Sequence, residues 1–485
     1  MERAARHSAL VIGAFLVTSV LNYVFGVGLS WFLQPAQYGV LGVAQSLLLL
    51  AALVVSAGFS WTANRDVAAG GVNAGTRTRF RTAWLANLAL GALVAVALYT
   101  AYRLDFLALG PAYRAVVPLV GLTAIILAAR AVVIGAAQGL YHFGAVAVNQ
   151  VAEVAVKFGA GLLLVTLGYG AAGVMAAFAL GAALALVHSL WIVRPARLWQ
   201  GGGWFEGKVF SSTAPLFVAM LGPALMLNLD ILGLKLLAPP TRSDEMAGFY
   251  QAAVILARIP VFTARSLTMV VFSYVAGAQR RPDGPDYARA ALRLWQRLLL
   301  PAGIALALAP QAALTLFFPA AYLTAAPALR MAAVGGVLLS LVTLLAGIAQ
   351  ASGQRNRSAS AAALATVVQI LTLWWLVPQW GALGAAASLV TSGVVALLGM
   401  GALLPAPRAT ARNRLLQATP LLALALPLLW LPDGSRSLAL LKFALSGLAY
   451  VLALLITQKP AGAPASTTSG ASRWRSHLVH LLVGG

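Results

Sequence analysis

FLVTSVLNYVFGVGLSWFLQPAQYGVLGVAQSLLLLAALVVSAGFSWTANRD, residues Phe15–Asp66, contains two long apolar runs that are separated by the turn QPAQYG at Gln34–Gly39. A helix needs about 20 apolar residues to cross a bilayer. Each run is long enough to do so. The stretch therefore predicts two membrane-spanning helices that are joined by a tight turn.

The same pattern continues along the chain. Of its 485 residues, 61% are hydrophobic and only 9% are charged, whereas roughly a quarter of the residues of a soluble domain are charged. We predict an all-α polytopic membrane protein with about fourteen transmembrane helices. Their centres fall near residues 20, 50, 92, 125, 156, 182, 224, 260, 308, 340, 367, 392, 423 and 447.

The net charge of +22 raises the question of a nucleic-acid partner. The cations are spread over short loops between apolar runs, so we exclude nucleic acid and attribute the charge to the positive-inside bias of membrane proteins. That bias alternates from loop to loop and places both termini in the cytoplasm. The absence of cysteine excludes disulfides, thiol catalysis and thiolate metal sites.

An internal repeat divides the chain. GAAQ at Gly135–Gln138 recurs 212 residues later as GIAQ at Gly347–Gln350, and Tyr38 and Tyr250 have the same spacing. We expect two pseudo-symmetric six-helix lobes, then two additional C-terminal helices and a disordered cytoplasmic tail. The predicted bounds are residues 1–200, 205–404, 410–458 and 459–485.

Five charged residues lie deep within predicted spans: Glu153, Lys157, Asp230, Arg258 and Arg265. An ionisable group at the centre of a span costs about 2.5–3.5 kcal/mol on insertion scales. Such groups are found mainly where they face another helix or a water-filled path. They indicate a protein that moves a polar or charged substrate across the bilayer.

Each of these charges has a structural and a functional interpretation. Glu153 and Lys157 are four residues apart on one helix face. They either pair with each other or face the path, where Lys157 meets substrate phosphate and Glu153 takes a proton. Asp230 is a candidate structural partner of Arg258, which precedes Pro260, a residue that favours a kink.

Arg265 follows Arg258 by two helical turns on the same face, which predicts a cationic stripe. Arg130 either joins this cationic site or extends to the membrane surface. Further along the chain, three arginines are spaced by one helical turn and either face anionic lipid or capture lipid pyrophosphate. They are Arg289, Arg293 and Arg297.

The remaining polar groups in the spans are less specific. Five amides form either interhelical hydrogen bonds or sugar contacts: Asn22, Asn87, Asn149, Gln150 and Asn228. His142 and His188 receive no role. Gly201–Gly203 reads as a flexible linker because no phosphate-loop Lys-Ser/Thr follows it. We predict no metal and no cofactor.

Two groups of residues resemble a known superfamily of exporters. One group lies around the first turn and the other opens the second lobe: Tyr38, Gly39, Ala44, Ser46, Gly58 and Arg65, then Asp230, Gly248, Tyr250 and Ala253. The chain resembles the multidrug/oligosaccharidyl-lipid/polysaccharide exporter superfamily over about residues 8–404. Within it, the chain is similar to the polysaccharide transporter branch, which is O-antigen flippase-like.

The resemblance implies a multi-pass flippase of the bacterial inner membrane and not an enzyme. It would move a polyprenyl-pyrophosphate-linked oligosaccharide by alternating access for polysaccharide export. In this hypothesis Arg258, Arg265 and Lys157, with Arg130 as a further candidate, form a cationic cavity for the pyrophosphate, while Glu153 and Asp230 are coupling or structural carboxylates. The implied partners are the lipid-linked oligosaccharide, membrane lipids, a glycan polymerase and glycosyltransferases.

Two alternatives stay open. A cation-coupled multidrug exporter of the same superfamily usually has twelve spans and acidic residues for cationic substrates, whereas this chain has surplus cations in its spans. A membrane glycosyltransferase or polymerase usually needs catalytic carboxylates near a large outward loop. The outward loops here are short, and their acids form no obvious constellation: Asp105, Asp244, Glu245 and Asp433.

Overall fold

The structure is a computed structural model that describes residues 2–56, 58–207, 209–210, 225–278, 287–352, 354–401 and 411–457. All regular structure within these ranges is helical. The contacts between residues divide the chain into two units. The first comprises Met1–Gln251 and Leu373–Ala385, and the second comprises Ala252–Thr372 and Ala386–Gly485.

The first unit contains most of the N-terminal helices. They are α1 (Glu2–Leu29), α2 (Pro35–Ser56), α3 (Phe59–Gly70), α4 (Ala74–Arg103), α5 (Val116–Gly139), α6 (Phe143–Thr166), α7 (Gly170–Val193), α8 (Leu229–Leu237) and the first part of α9 (Ser243–Ala257). Helix α5 is central, since it packs against α2, α3, α4 and α7. Helix α6 packs against α1 on one side and α7 on the other.

The second unit contains most of the remaining helices. They are α10 (Ile259–Ala278), α11 (Tyr287–Leu308), α12 (Pro310–Phe317), α13 (Ala326–Ala351), α14 (Arg355–Trp380), α15 (Ala382–Met400), α16 (Ala411–Trp430) and α17 (Arg436–Thr457). Helix α13 packs against both α10 and α11. The two additional helices, α16 and α17, pack against each other and against α11 and α12, with Leu428 and Ala439 buried in their shared core.

The all-helical membrane fold is confirmed. In the described part of the chain, ten helices are long and apolar enough to cross a membrane, or eleven if the bent pair α9–α10 is one span. These match eleven of the fourteen predicted spans. The apolar segments near residues 20 and 423, Val17–Leu29 and Ala418–Trp430, are shorter. The predicted span near residue 224 falls mostly outside the described residues, as does the predicted tail 459–485.

The kink predicted at Pro260 is present. Ser243–Ala257 and Ile259–Thr268 meet at an angle of 41°, and Arg258 occupies the break between them. Proline has no backbone N–H and its ring crowds the preceding turn, which accounts for a break at this point. Arg258 is therefore the residue at which this span changes direction.

Two helices, one in each half of the chain, are preceded or begun by a glycine with the same φ. Gly170 opens α7 after Tyr169, and Gly381 precedes α15 after Trp380. Both glycines have φ of +53°, in the left-handed region that residues with a Cβ disfavour. The boundaries of the two predicted lobes remain a prediction, since the contact units divide the chain elsewhere.

Helices α2 and α9 cross at a glycine contact within the first unit. A Cβ atom on Gly39 would lie 1.8 Å from the carbonyl oxygen of Asp244. A Cβ on Gly248 would lie 1.8 Å from the carbonyl oxygen of Pro35. Only glycine permits this approach, because real Cβ atoms do not come so close to a backbone oxygen.

A buried ion pair lies beside this crossing. Lys235 Nζ, at the end of α8, is 2.7 Å from Asp244 Oδ1 on α9, and the Lys235 side chain is 3% exposed. The Tyr113 hydroxyl donates to the same carboxylate oxygen at 2.9 Å. The Asp244 carboxylate thus joins α8, α9 and the short helix Pro111–Tyr113 that precedes α5.

Candidate substrate and coupling site

Arg130 and Glu153 form an ion pair between α5 and α6. Arg130 Nη2 lies 2.9 Å from Glu153 Oε2, and the two side chains are 13% and 24% exposed. Arg130 also donates to Asn149 Oδ1 from Nη2 at 2.6 Å and from Nε at 3.2 Å. The pairing neutralises Arg130 within the span and accounts for it without extension to the membrane surface.

Asn149 extends this polar cluster to α7. Its side-chain nitrogen lies 2.8 Å from the carbonyl oxygen of Ala185, 3.1 Å from His188 Nδ1 and 3.2 Å from Ser189 Oγ. Three helices therefore share one hydrogen-bonded network. Of the two roles considered for Asn149, the interhelical hydrogen bond is present, and His188, to which no role was assigned, takes part in it. The spacing of Asn149 and Glu153, one helical turn apart, was the available signal for a polar face on α6.

The predicted ion pair between Glu153 and Lys157 is not formed. The Lys157 amine instead donates to Asn22 Oδ1 on α1. It lies 4.5 Å from the ring centroid of Phe178 and 6.0 Å from that of Phe25. Among the described residues, no carboxylate oxygen lies within 4 Å of this amine, because Arg130 already binds the Glu153 carboxylate.

Asp230 begins α8 and is completely buried. Its Oδ2 accepts a hydrogen bond from the Tyr250 hydroxyl at 2.9 Å, and its Oδ1 accepts from the backbone N–H of Ile231 at 2.9 Å. A structural role in fixing α8 against α9 is therefore evident. The predicted pairing of Asp230 with Arg258 remains a prediction.

Arg265 lies on α10, in the second unit, and is exposed. Its guanidinium group lies 5.8 Å from the ring centroid of Phe262. The cationic stripe of Arg258 and Arg265 remains a prediction. Within the described ranges, Arg265 makes no hydrogen bond or ion pair with another side chain.

The predicted arginine row begins α11, where Arg289, Arg293 and Arg297 are all partly buried. The carbonyl oxygen of Arg297 accepts a hydrogen bond from the Tyr450 hydroxyl of α17 at 2.8 Å. This contact joins α17 to the arginine row of α11. The choice between a lipid flank and pyrophosphate capture remains open.

The segment Gly201–Gly203, predicted as a flexible linker, makes specific contacts in the structure. The segment lies against the first turns of α4: Arg81 donates to the carbonyl oxygen of Gly201, and Gly203 N–H donates to Thr78 Oγ1 at 2.9 Å. The Arg81 guanidinium also lies 4.8 Å from the ring centroid of Trp204. The three glycines provide close backbone contact, since a Cβ on Gly202 would lie 2.6 Å from the carbonyl oxygen of Ala74.

Solved structures with the same fold define the class of this protein. Lipid II flippase MurJ in an inward closed conformation is 12% identical, with a TM-score of 0.75 and coverage of 93% of this chain and 98% of that one. A multidrug resistance MATE family transporter in an inward-facing conformation is 15% identical, with a TM-score of 0.64 and coverage of 80% and 95%. A MOP superfamily transporter from Pyrococcus furiosus is 15% identical, with a TM-score of 0.60 and coverage of 82% and 93%.

The chain is thus a multi-pass membrane protein with the fold of the multidrug/oligosaccharidyl-lipid/polysaccharide exporter superfamily. Residues 4–277 match the polysaccharide biosynthesis protein family. Because the match covers more than half of the chain, the protein belongs to that family, and the predicted resemblance is confirmed. No curated protein sequence matches the chain.

Proposed function

We propose that the protein is a flippase that moves polyprenyl-pyrophosphate-linked oligosaccharide across the bacterial inner membrane. The protein belongs to the polysaccharide biosynthesis protein family, and its fold is shared with membrane transporters. In this proposal the two lobes alternate in access, the sugars cross through a hydrated path and the polyprenyl tail stays in lipid. The protein performs no covalent chemistry.

The observation that supports this proposal is an imbalance of charge in the spans. Arg130 is neutralised by Glu153. Lys157 and Arg265 have no carboxylate oxygen within 4 Å in the described part of the chain. Because a charge at membrane depth is costly, two cations without an acidic partner favour an anionic substrate. Arginine binds phosphate through a planar fork of donors, and the lysine amine acts as a point charge.

Glycan export by single-residue variants tests this assignment. We expect Arg265→Ala and Lys157→Ala to lower export at least about tenfold at normal protein abundance, and Arg265→Lys to restore part of it. The matched control is Arg242→Ala, which removes an exposed arginine between α8 and α9. The assay is complementation of a strain that lacks its own lipid-linked oligosaccharide flippase, with abundance measured in parallel.

The same strains separate this function from drug export. Multidrug resistance MATE transporters share the fold, so resistance is measured in a pump-deficient strain. Full glycan export by both alanine variants would contradict the cationic site. Drug resistance that depends on Arg265 and Lys157, without any glycan export, would assign the chain to the multidrug exporters instead.

A further inference from the structure

A cavity of about 350 Å³ lies at the end of α7, in the first unit and outside the polar cluster described above. Two arginines and two tryptophans form much of its wall. The lining residues are Leu190, Trp191, Arg194, Arg197, Trp199 and Gln200. The volume is near the lower limit of small-molecule sites, so it suits a polar headgroup rather than an acyl chain.

The two arginines of this cavity have no side-chain partner in the part of the chain that the structure describes. Within the described ranges, neither Arg194 nor Arg197 makes a side-chain hydrogen bond or an ion pair, and both are exposed. Two arginines of the neighbouring helix α4 are engaged. Arg79 lies 2.9 Å from Asp66 and Arg81 donates to Gly201. Among the described residues, the cavity therefore has two guanidinium groups that no other side chain binds.

The segment that carries these arginines is held in place by its own apolar residues. Leu198 is completely buried in the core beneath α3, α4 and α5. Trp199 packs edge-on against Phe80 at 4.9 Å and Trp84 at 6.3 Å between ring centroids. Arg197 has φ of +49°, which is disfavoured for a residue with a side chain and which these anchors maintain. The cavity wall is thus formed before any ligand binds.

The position of the cavity indicates where its ligand comes from. By length and composition the membrane-spanning segment extends to Ala196, so the cavity lies at the end of a span, where we infer the level of the lipid headgroups. Trp191 is 67% exposed beside it, and tryptophan with arginine is the composition that membrane interfaces favour. A positive residue after α7 also suits the helix dipole. The interaction with the helix dipole accounts for one arginine at the end of α7. Because it fades within one turn, it does not account for Arg197.

We propose that this cavity binds the phosphodiester headgroup of an anionic phospholipid, with Arg194 and Arg197 on the phosphate and Trp191 at the glycerol and upper acyl region. Charge complementarity supports this occupant, because two guanidinium groups with no partner among the described residues line a pocket at the end of a membrane span. The pyrophosphate of a lipid-linked substrate has the same chemistry. The test below separates the two sources, and its readout does not depend on transport.

The test measures lipid binding to the purified full-length protein in detergent. Native mass spectrometry and thermal unfolding are recorded with added phosphatidylglycerol, phosphatidylcholine or farnesyl pyrophosphate. The variant is Arg194→Gln/Arg197→Gln. The matched control is Arg103→Gln/Arg114→Gln, which removes two exposed arginines, one at the C-terminal end of α4 and one in the segment that follows it.

We expect phosphatidylglycerol to raise the Tm of the wild type and of the control, and its bound fraction to fall at least about tenfold in the variant. Phosphatidylcholine should bind weakly to all three proteins. Equal retention of phosphatidylglycerol by the variant and the control would overturn the proposal. A loss confined to farnesyl pyrophosphate would also overturn it, since the cavity would then receive the substrate.

Discussion

The carboxylate of Glu153 lies between two cations with different surroundings. Arg130 contacts it at 2.9 Å and is held by Asn149 as well. Lys157, one turn further along α6, is held by Asn22 and two phenylalanine rings. In the coupling hypothesis, protonation of Glu153 would remove the ion-pair partner of Arg130, which Asn149 would still hold, and would leave the contacts of Lys157 unchanged. This arrangement is suited to a carboxylate that couples proton binding to a change in helix contacts.

A double-mutant experiment separates a coupling role of Glu153 from a purely structural one. Glu153→Gln leaves Arg130 without its ion-pair partner, and removing one partner of a buried pair costs up to about 3–5 kcal/mol. We expect low abundance and no export. Adding Arg130→Met removes the unpaired charge and should restore abundance. If Glu153 carries the coupling proton, export stays absent in the double variant.

The control for this experiment is Arg79→Met/Asp66→Asn. It removes an ion pair of the same length, 2.9 Å, from the same unit but outside the α5–α6 contact. We expect it to export normally. If Arg130→Met/Glu153→Gln exported as well as this control, Glu153 would be only a partner for Arg130.

The sequence located these charges, but it did not identify their partners. Apolar periodicity shows that Arg130, Glu153 and Lys157 lie within spans, and helical spacing places Glu153 and Lys157 on one face. The partner of Glu153 is on the neighbouring helix α5. Helical spacing carries no information about contacts between helices. His188 was missed for the same reason, since its link to Asn149 crosses from α7 to α6.

At the scale of elements, the crossing of α2 and α9 depends on two glycines. Gly39 and Gly248 stand out in the sequence only because they carry the family resemblance. The structure shows why glycine is required at both positions. A Cβ atom added to either glycine would lie 1.8 Å from a carbonyl oxygen of the other helix. Relief of that overlap requires the helices to separate, which would also strain the nearby Lys235–Asp244 ion pair.

Gly248→Ala should therefore destabilise the protein by about 1–3 kcal/mol, the usual cost of overpacking a tight contact. The measurement is the Tm of the purified protein in detergent. Gly447→Ala is the matched control, because a Cβ there would have no heavy atom within 4 Å. That substitution within α17 should leave the Tm unchanged or raise it. A Gly248→Ala protein as stable as the control would contradict a tight crossing.

Spans could be predicted from the sequence because each needs a long apolar run, and the Pro260 kink could be predicted because proline interrupts the helical hydrogen bonds. The contacts of Gly201–Gly203 with α4 could not be predicted from the sequence. Considered from the local sequence alone, three successive glycines indicate a flexible backbone. Their contacts with Thr78 and Arg81 join segments far apart in the chain.

At the scale of the whole molecule, the two predicted lobes require a particular topology. An even number of spans must separate equivalent positions for the lobes to run in the same direction. The turn between α8 and α9 must then lie outside, together with the loop after α4. The linker after α7 and the start of α14 must lie in the cytoplasm. The alternation of arginines between loops predicts the same sides.

The chain has no cysteine, so single cysteines report the side of each loop without background labelling. In intact cells, a membrane-impermeant maleimide should label Phe106→Cys and Thr241→Cys. Phe205→Cys and Asn356→Cys should react only after the membrane is permeabilised. All four residues are exposed. Phe106 and Phe205 serve as the outside and inside references, because they lie beyond opposite ends of α4. Thr241 decides the question: if its cysteine reacted only after permeabilisation, an odd number of spans would separate the lobes and the parallel repeat would be wrong.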